Sequence, residues 1–112
     1  MTTYQINLNN NYPNQEFDLN INEVENTLNV LLQTTVQGAL LMTVSINDEV
    51  IGQPFICLPN QAVIPYQYLI DKVGGNFIFE TENDNYPEYS NFNDTCILYF
   101  VTNDTIAELN NG

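Results

Sequence analysis

Apolar and polar residues alternate along much of this chain. Tyr4-Gln5-Ile6-Asn7-Leu8 opens the pattern, and Phe17, Leu19 and Ile21 repeat it around Asp18 and Asn20. A period of two places alternate side chains on opposite faces, so each stretch predicts a half-buried strand. Thr27 to Val36 predicts a third strand, with Leu28, Val30 and Leu32 on one face, and Gly38 ends it. Leu40, Met42, Val44 and Ile46 then alternate with Leu41, Thr43, Ser45 and Asn47. Asn47-Asp48 reads as a tight hairpin turn, and Glu49-Val50-Ile51 opens the returning strand. Polar clusters at 9–14 and 22–26 supply turns. Phe55-Ile56-Cys57-Leu58 stands between Pro54 and Pro59. Proline cannot donate to a ladder, so this piece is expected at a sheet edge.

The second half is organised around 74–101. Gly74-Gly75 signals a turn, Asn76 to Glu80 predicts a strand, and Thr81 to Asn93 forms a polar, acidic and aromatic loop. Thr95 to Val101 is the most apolar run and is expected to be a strand buried on both faces. Ile64-Pro65-Tyr66-Gln67-Tyr68-Leu69-Ile70 has two readings, a strand end or one helical turn with Pro65 at its first position. Thr102 or Asn103 is expected to cap a short helical turn through Leu109.

About seven or eight short antiparallel strands at intervals of ~10 residues predict a single all-β domain over 1–112, a barrel or a sandwich. Barrel closure would remove the exposed edge that the run from Thr95 to Val101 would otherwise present.

Composition narrows the chemistry. The 112 residues carry 14 Asp and Glu, one Lys, no Arg and no His, a formal net charge of -13. Without histidine, neither Ser45 nor Ser90 can belong to a Ser-His triad. Without arginine the usual bidentate clamp on phosphate or carboxylate is missing, and one lysine makes no basic patch. Direct nucleic-acid binding is therefore not expected. No apolar run approaches the ~18 residues of a membrane helix, and Met1-Thr2-Thr3-Tyr4 has no secretory pattern. Cys57 and Cys96 are accordingly expected as reduced, buried thiols, and the glycosylation patterns at Asn93 and Asn103 are expected to carry no function. Glu80, Glu82, Asp84 and Glu88 crowd one segment. Such carboxylates suit Ca²⁺, but the EF-hand positions are absent, so a solvated acidic loop is expected, with no metal or cofactor. Nothing singles out a carboxylate pair for glycoside hydrolysis, and the chain is not expected to be an enzyme.

The aromatic residues remain. Tyr66, Tyr68, Tyr86, Tyr89 and Phe92 are not committed to strand patterns. Either they cover the ends of the fold or they contact another protein, since tyrosine joins large apolar area to a polar tip. They are the candidate interaction residues.

Several stretches, in order, resemble one family. They are Pro13-Asn14-Gln15 before an alternating strand, Leu40 to Ile46 with its turn, Ile64-Pro65-Tyr66-Gln67-Tyr68-Leu69, Gly74-Gly75-Asn76-Phe77-Ile78-Phe79, Tyr86-Pro87-Glu88-Tyr89, and Phe92-Asn93-Asp94-Thr95 before the apolar strand. Together they resemble the small baseplate plug proteins of contractile-tailed bacteriophages. The resemblance covers nearly the whole chain, though the near absence of Arg and Lys puts any basic contact of relatives in doubt. It implies a structural protein of the virion tail, assembled in the host cytoplasm and closing the central hub or tube before contraction. Hub, spike and tail-tube proteins would be its neighbours, and a homotrimer or larger ring its assembly. The competing expectation is a soluble acidic inhibitor that mimics DNA and blocks a host nuclease.

Overall fold

A computed structural model describes residues 3–20 and 27–102. Among the described residues seven strands form two antiparallel sheets: β1 (Thr3–Ile6), β2 (Gln15–Leu19), β3 (Leu28–Thr34), β4 (Leu40–Ile46), β5 (Glu49–Ile56), β6 (Gly75–Thr81) and β7 (Cys96–Thr102). One sheet has the order β2-β3-β4-β5, the other β1-β7-β6. The alternation holds where it was cleanest. Leu28, Val30 and Leu32 of β3 and Leu40, Met42 and Val44 of β4 are buried, while Asn29, Leu31, Leu41 and Thr43 between them are only partly covered. The two sheets share one core with Phe77, Phe79, Leu98 and Phe100. The Phe77 and Phe100 rings meet at 5.0 Å and 58°, a tilted geometry that the aromatic quadrupole favours.

Of the two expected architectures, barrel or sandwich, the chain forms an open sandwich, and its sheets do not close into a barrel. Among the described residues β1 pairs only with β7 and β2 only with β3, and a cleft of about 420 Å³ lies between Tyr4–Asn7 and Phe17–Asn20. Closure is also unnecessary for the apolar run. β7 is the central strand of its sheet, flanked by β1 and β6, so neighbours already satisfy both of its edges. Nor is that run buried on both faces. Cys96, Leu98 and Phe100 point into the core, whereas on the other face Ile97 and Tyr99 are partly exposed and only Val101, at the end of the run, is buried.

Local chemistry sets the connections. Asn47 and Asp48 both take positive φ, 50° and 71°, as a type I′ hairpin turn requires. Gly38, at φ 90°, turns the chain between β3 and β4 and leaves Val36 wholly exposed beyond the end of β3. The segment with two readings is a helix, α1 (Gln67–Val73). Tyr66 is its N-cap, so Pro65 precedes the helix instead of opening it. Leu69 and Val73, four apart, are its buried face, and seven residues hold helical shape through that packing more than through propensity. Gly74, at φ 89°, is the left-handed C-cap. Gly75 then starts β6, where a Cβ would sit 2.3 Å from the Val101 carbonyl oxygen. Ile21 of the second predicted strand, the turn at 22–26, Asn103 and the C-terminal helical turn lie outside the described residues; Thr102 ends β7.

Asparagine side chains stand in for missing strands. The Asn76 amide donates to the Ile64 carbonyl oxygen at 2.9 Å and accepts from the Ile64 N–H at 2.9 Å. Asn93 makes the same two-way contact with the backbone of Leu8. Asn60, at φ 54°, accepts from the Thr81 N–H at 2.9 Å and donates to Asp84 at 2.7 Å. Each planar amide presents one donor and one acceptor side by side, as a neighbouring peptide unit does.

Candidate interaction surface

β5 carries the surface on its edge. Its pairing with β4 is regular at Ile46↔Glu49 to Val44↔Ile51, then shifts before Met42↔Phe55. Gly52, at φ 63°, lies in this bulge. A Cβ there would stand 3.2 Å from both Leu69 and Phe55, so the missing side chain lets α1 approach the strand. Pro54 removes one donor in the same stretch, which suits an edge strand. The helix thereby holds Tyr66 and Tyr68 beside β5, their ring centroids 5.9 Å apart and tilted 32°. Together with Pro54, Ile56 and Ala62 they line an open cleft of about 650 Å³.

The aromatic loop closes the other side. It turns through 3-10 segments at Glu82–Asp84 and Tyr89–Asn91, and hydrogen bonds from Glu82 to Thr95 and from Asn93 to Cys96 tie its ends. Pro87 is buried while its neighbour Tyr86 is 72% exposed. Tyr86 and Pro87 line a smaller cleft of about 240 Å³ with Leu40, Ile56 and Leu58. Ile56 and Leu58 border both clefts, so Tyr68, Tyr66, Ile56, Leu58 and Tyr86 form one continuous surface.

The five candidate aromatics thus divide. Tyr66, Tyr68 and Tyr86 are exposed at 53%, 62% and 72%. Tyr89 is half-buried and packs on the core. Phe92 corrects the sequence reading: it is 1% exposed and stacks on Phe79 at 6.0 Å. The loop folds back through Asn93, and that carries the Phe92 ring inward. Ile56, 53% exposed, was missed because Phe55 to Leu58 reads as one apolar run. All four residues are apolar, so no local signal separates buried Phe55 and Cys57 from exposed Ile56 and half-buried Leu58.

Among the described residues no group of three His, Cys, Asp or Glu is placed to hold a metal ion; Asp84 of the acidic segment accepts from Asn60. Cys57 and Cys96 are buried free thiols. Burial pushes the Cys96 thiol up to about 11, against a backbone hydrogen bond at Glu88 that lowers it. Burial, with the nearby Cys96 adding to it, raises Cys57 further. Both thiols therefore stay protonated and unreactive at neutral pH.

The model of one protein family, described as cyanophage baseplate Pam3 plug gp18, matches residues 3–104. No curated protein matches the chain.

Proposed function

The chain belongs to the phage baseplate plug family, and from that premise we propose that it is a non-catalytic structural component of a contractile tail. It closes or lines the central hub or tube and is displaced or rearranged on contraction. The match over residues 3–104 carries this reading, and the exposed Tyr66–Tyr68 pair, Ile56 and Tyr86 support it. Aromatic side chains on a rigid scaffold suit assembly, because they bury much area at little entropic cost. Hub, spike and tail-tube proteins are the neighbours, arranged around a homotrimer or larger ring. A chain of net charge -13 would also repel, and so not retain, DNA passing through such a channel.

Mass spectrometry of purified, denatured particles tests this directly. A few copies per particle are expected. Presence only in the infected-cell lysate would refute the reading and favour the soluble nuclease inhibitor. Tyr68→Ala with Tyr86→Ala should leave the isolated domain folded and reduce its incorporation about tenfold or more, as loss of two aromatic anchors would. Normal incorporation of that double variant would move the contact surface elsewhere.

A further inference from the structure

The cleft between β5 and α1, like the smaller one that adjoins it at Ile56 and Leu58, differs in its lining from the acidic chain as a whole. Its lining contains no charged residue, in a chain with 14 carboxylates. The bulge at Gly52 and the missing N–H of Pro54 interrupt the edge ladder, so a partner finds side-chain pockets there more readily than a strand to extend. Tyr66 and Tyr68 supply apolar walls with hydroxyl tips.

Charged side chains stand at two ends of this uncharged floor. The adjoining cleft shares Gly52, Tyr68 and Leu69 and brings Glu49, Asp71 and Lys72 to one end. Across Ile56 and Leu58, Tyr86 leads to Glu88 at the other end, on the loop. One lysine cannot neutralise this surface, and a second copy would add another -13 to a body only 34 × 33 × 22 Å. Like charge at that range disfavours a second copy on this face, so the copies of a ring meet through other surfaces, whereas a cationic partner is steered in.

We propose that this cleft receives a protein segment with an apolar centre flanked by lysine or arginine, supplied by a baseplate neighbour and not by a second copy of the chain. The proposal rests on the baseplate reading and gives that surface its partner chemistry.

The test replaces Tyr68 with the photo-cross-linker p-benzoylphenylalanine in assembling particles and identifies the joined peptide by mass spectrometry. A segment of another protein, with Lys and Arg outnumbering Asp and Glu around apolar residues, is expected. A synthetic peptide of that segment should bind the purified domain, with Kd rising about tenfold or more between about 50 and about 300 mM salt. Tyr68→Ala should abolish that binding while circular dichroism stays unchanged. A cross-link to a second copy, an acidic or neutral segment, or a salt-independent Kd would overturn the proposal. So would the absence of any cross-link when the chain is present in the particle, an outcome that leaves the baseplate reading standing. Absence of the chain from the particles would remove that reading, and the proposal with it.

Discussion

Asn76→Ala removes a single amide from the interior and tests how the interaction surface is held. Asn76 is 3% exposed and its partner Ile64 1%. Its side chain satisfies both the N–H and the C=O of Ile64 at 2.9 Å, and its oxygen also accepts from the Phe77 N–H at 2.8 Å. Alanine leaves the two Ile64 groups without partners where water cannot easily follow. At about 1–3 kcal/mol per unsatisfied buried group, the loss is about 2–6 kcal/mol, a large part of the ~5–15 kcal/mol expected for a domain. Asn29→Ala is the control, since that amide bonds Asp18 at 2.9 Å in an exposed setting and should cost under about 1 kcal/mol. Urea titration reads both, with the slope of the transition unchanged if only native stability falls. Hydrogen exchange at Ile64 should accelerate, because the 59–65 segment that leads into Tyr66 keeps its backbone bonds from Asn60 and Val63 to β6 but loses the tether at Ile64 itself. A loss below about 1 kcal/mol for Asn76→Ala, or equal losses for the two variants, would refute the view that buried amides substitute for strand pairing here.

Other perturbations probe the rest of the fold. Leu98→Ala should cost about 2–5 kcal/mol in the same titration, because Leu98 is 0% exposed, and Ile97→Ala on the opposite, partly exposed face should cost well under half of that; similar losses would mean that both faces are buried. Thiol-specific reagents should label Cys57 and Cys96 slowly at neutral pH and rapidly in denaturant, whereas fast labelling of the folded chain would contradict their burial. The folded pKa of Cys96 is raised from 9.0 to about 11, so its contribution to stability is full below 9.0 and declines as pH rises towards 11; a Cys96→Ala variant should lose part of this alkaline slope in thermal melts, and an identical slope would exclude the thiol as its source. Added salt should raise the melting temperature by on the order of a few degrees between low and physiological ionic strength, since screening relieves repulsion among the carboxylates; a flat or falling curve would show that their charges do not oppose folding.

The clean alternations of β3 and β4 were legible because burial on one sheet face imposes a period of two on the chain itself. The Asn47-Asp48 turn was legible for a similar reason, since its positive φ values restrict residue type locally. The Ile64–Ile70 segment stayed open because a seven-residue helix shows only one i,i+4 apolar pair, Leu69 and Val73, too little to fix a period. Of the interaction surface, Tyr66, Tyr68 and Tyr86 were identifiable as aromatics outside strand patterns. Phe92 shared that signature, and no local feature separates a loop ring that stacks on Phe79 from one that faces outward.

The sequence by itself determined the all-β class, most strand positions and faces, the edge character of the Pro54 stretch and the excess of negative charge. These follow from side-chain size, polarity and backbone freedom, which act within a few residues. Only the tertiary structure decided that β1 crosses the whole chain to pair with β7, that the sheets stay open instead of closing, and that Asn60, Asn76 and Asn93 bind backbone far away in sequence. It also decided that Phe92 turns inward while Ile56 joins Tyr66, Tyr68 and Tyr86 outside. Such outcomes depend on which distant surfaces meet, and a local pattern of polarity carries no information about its partner's address.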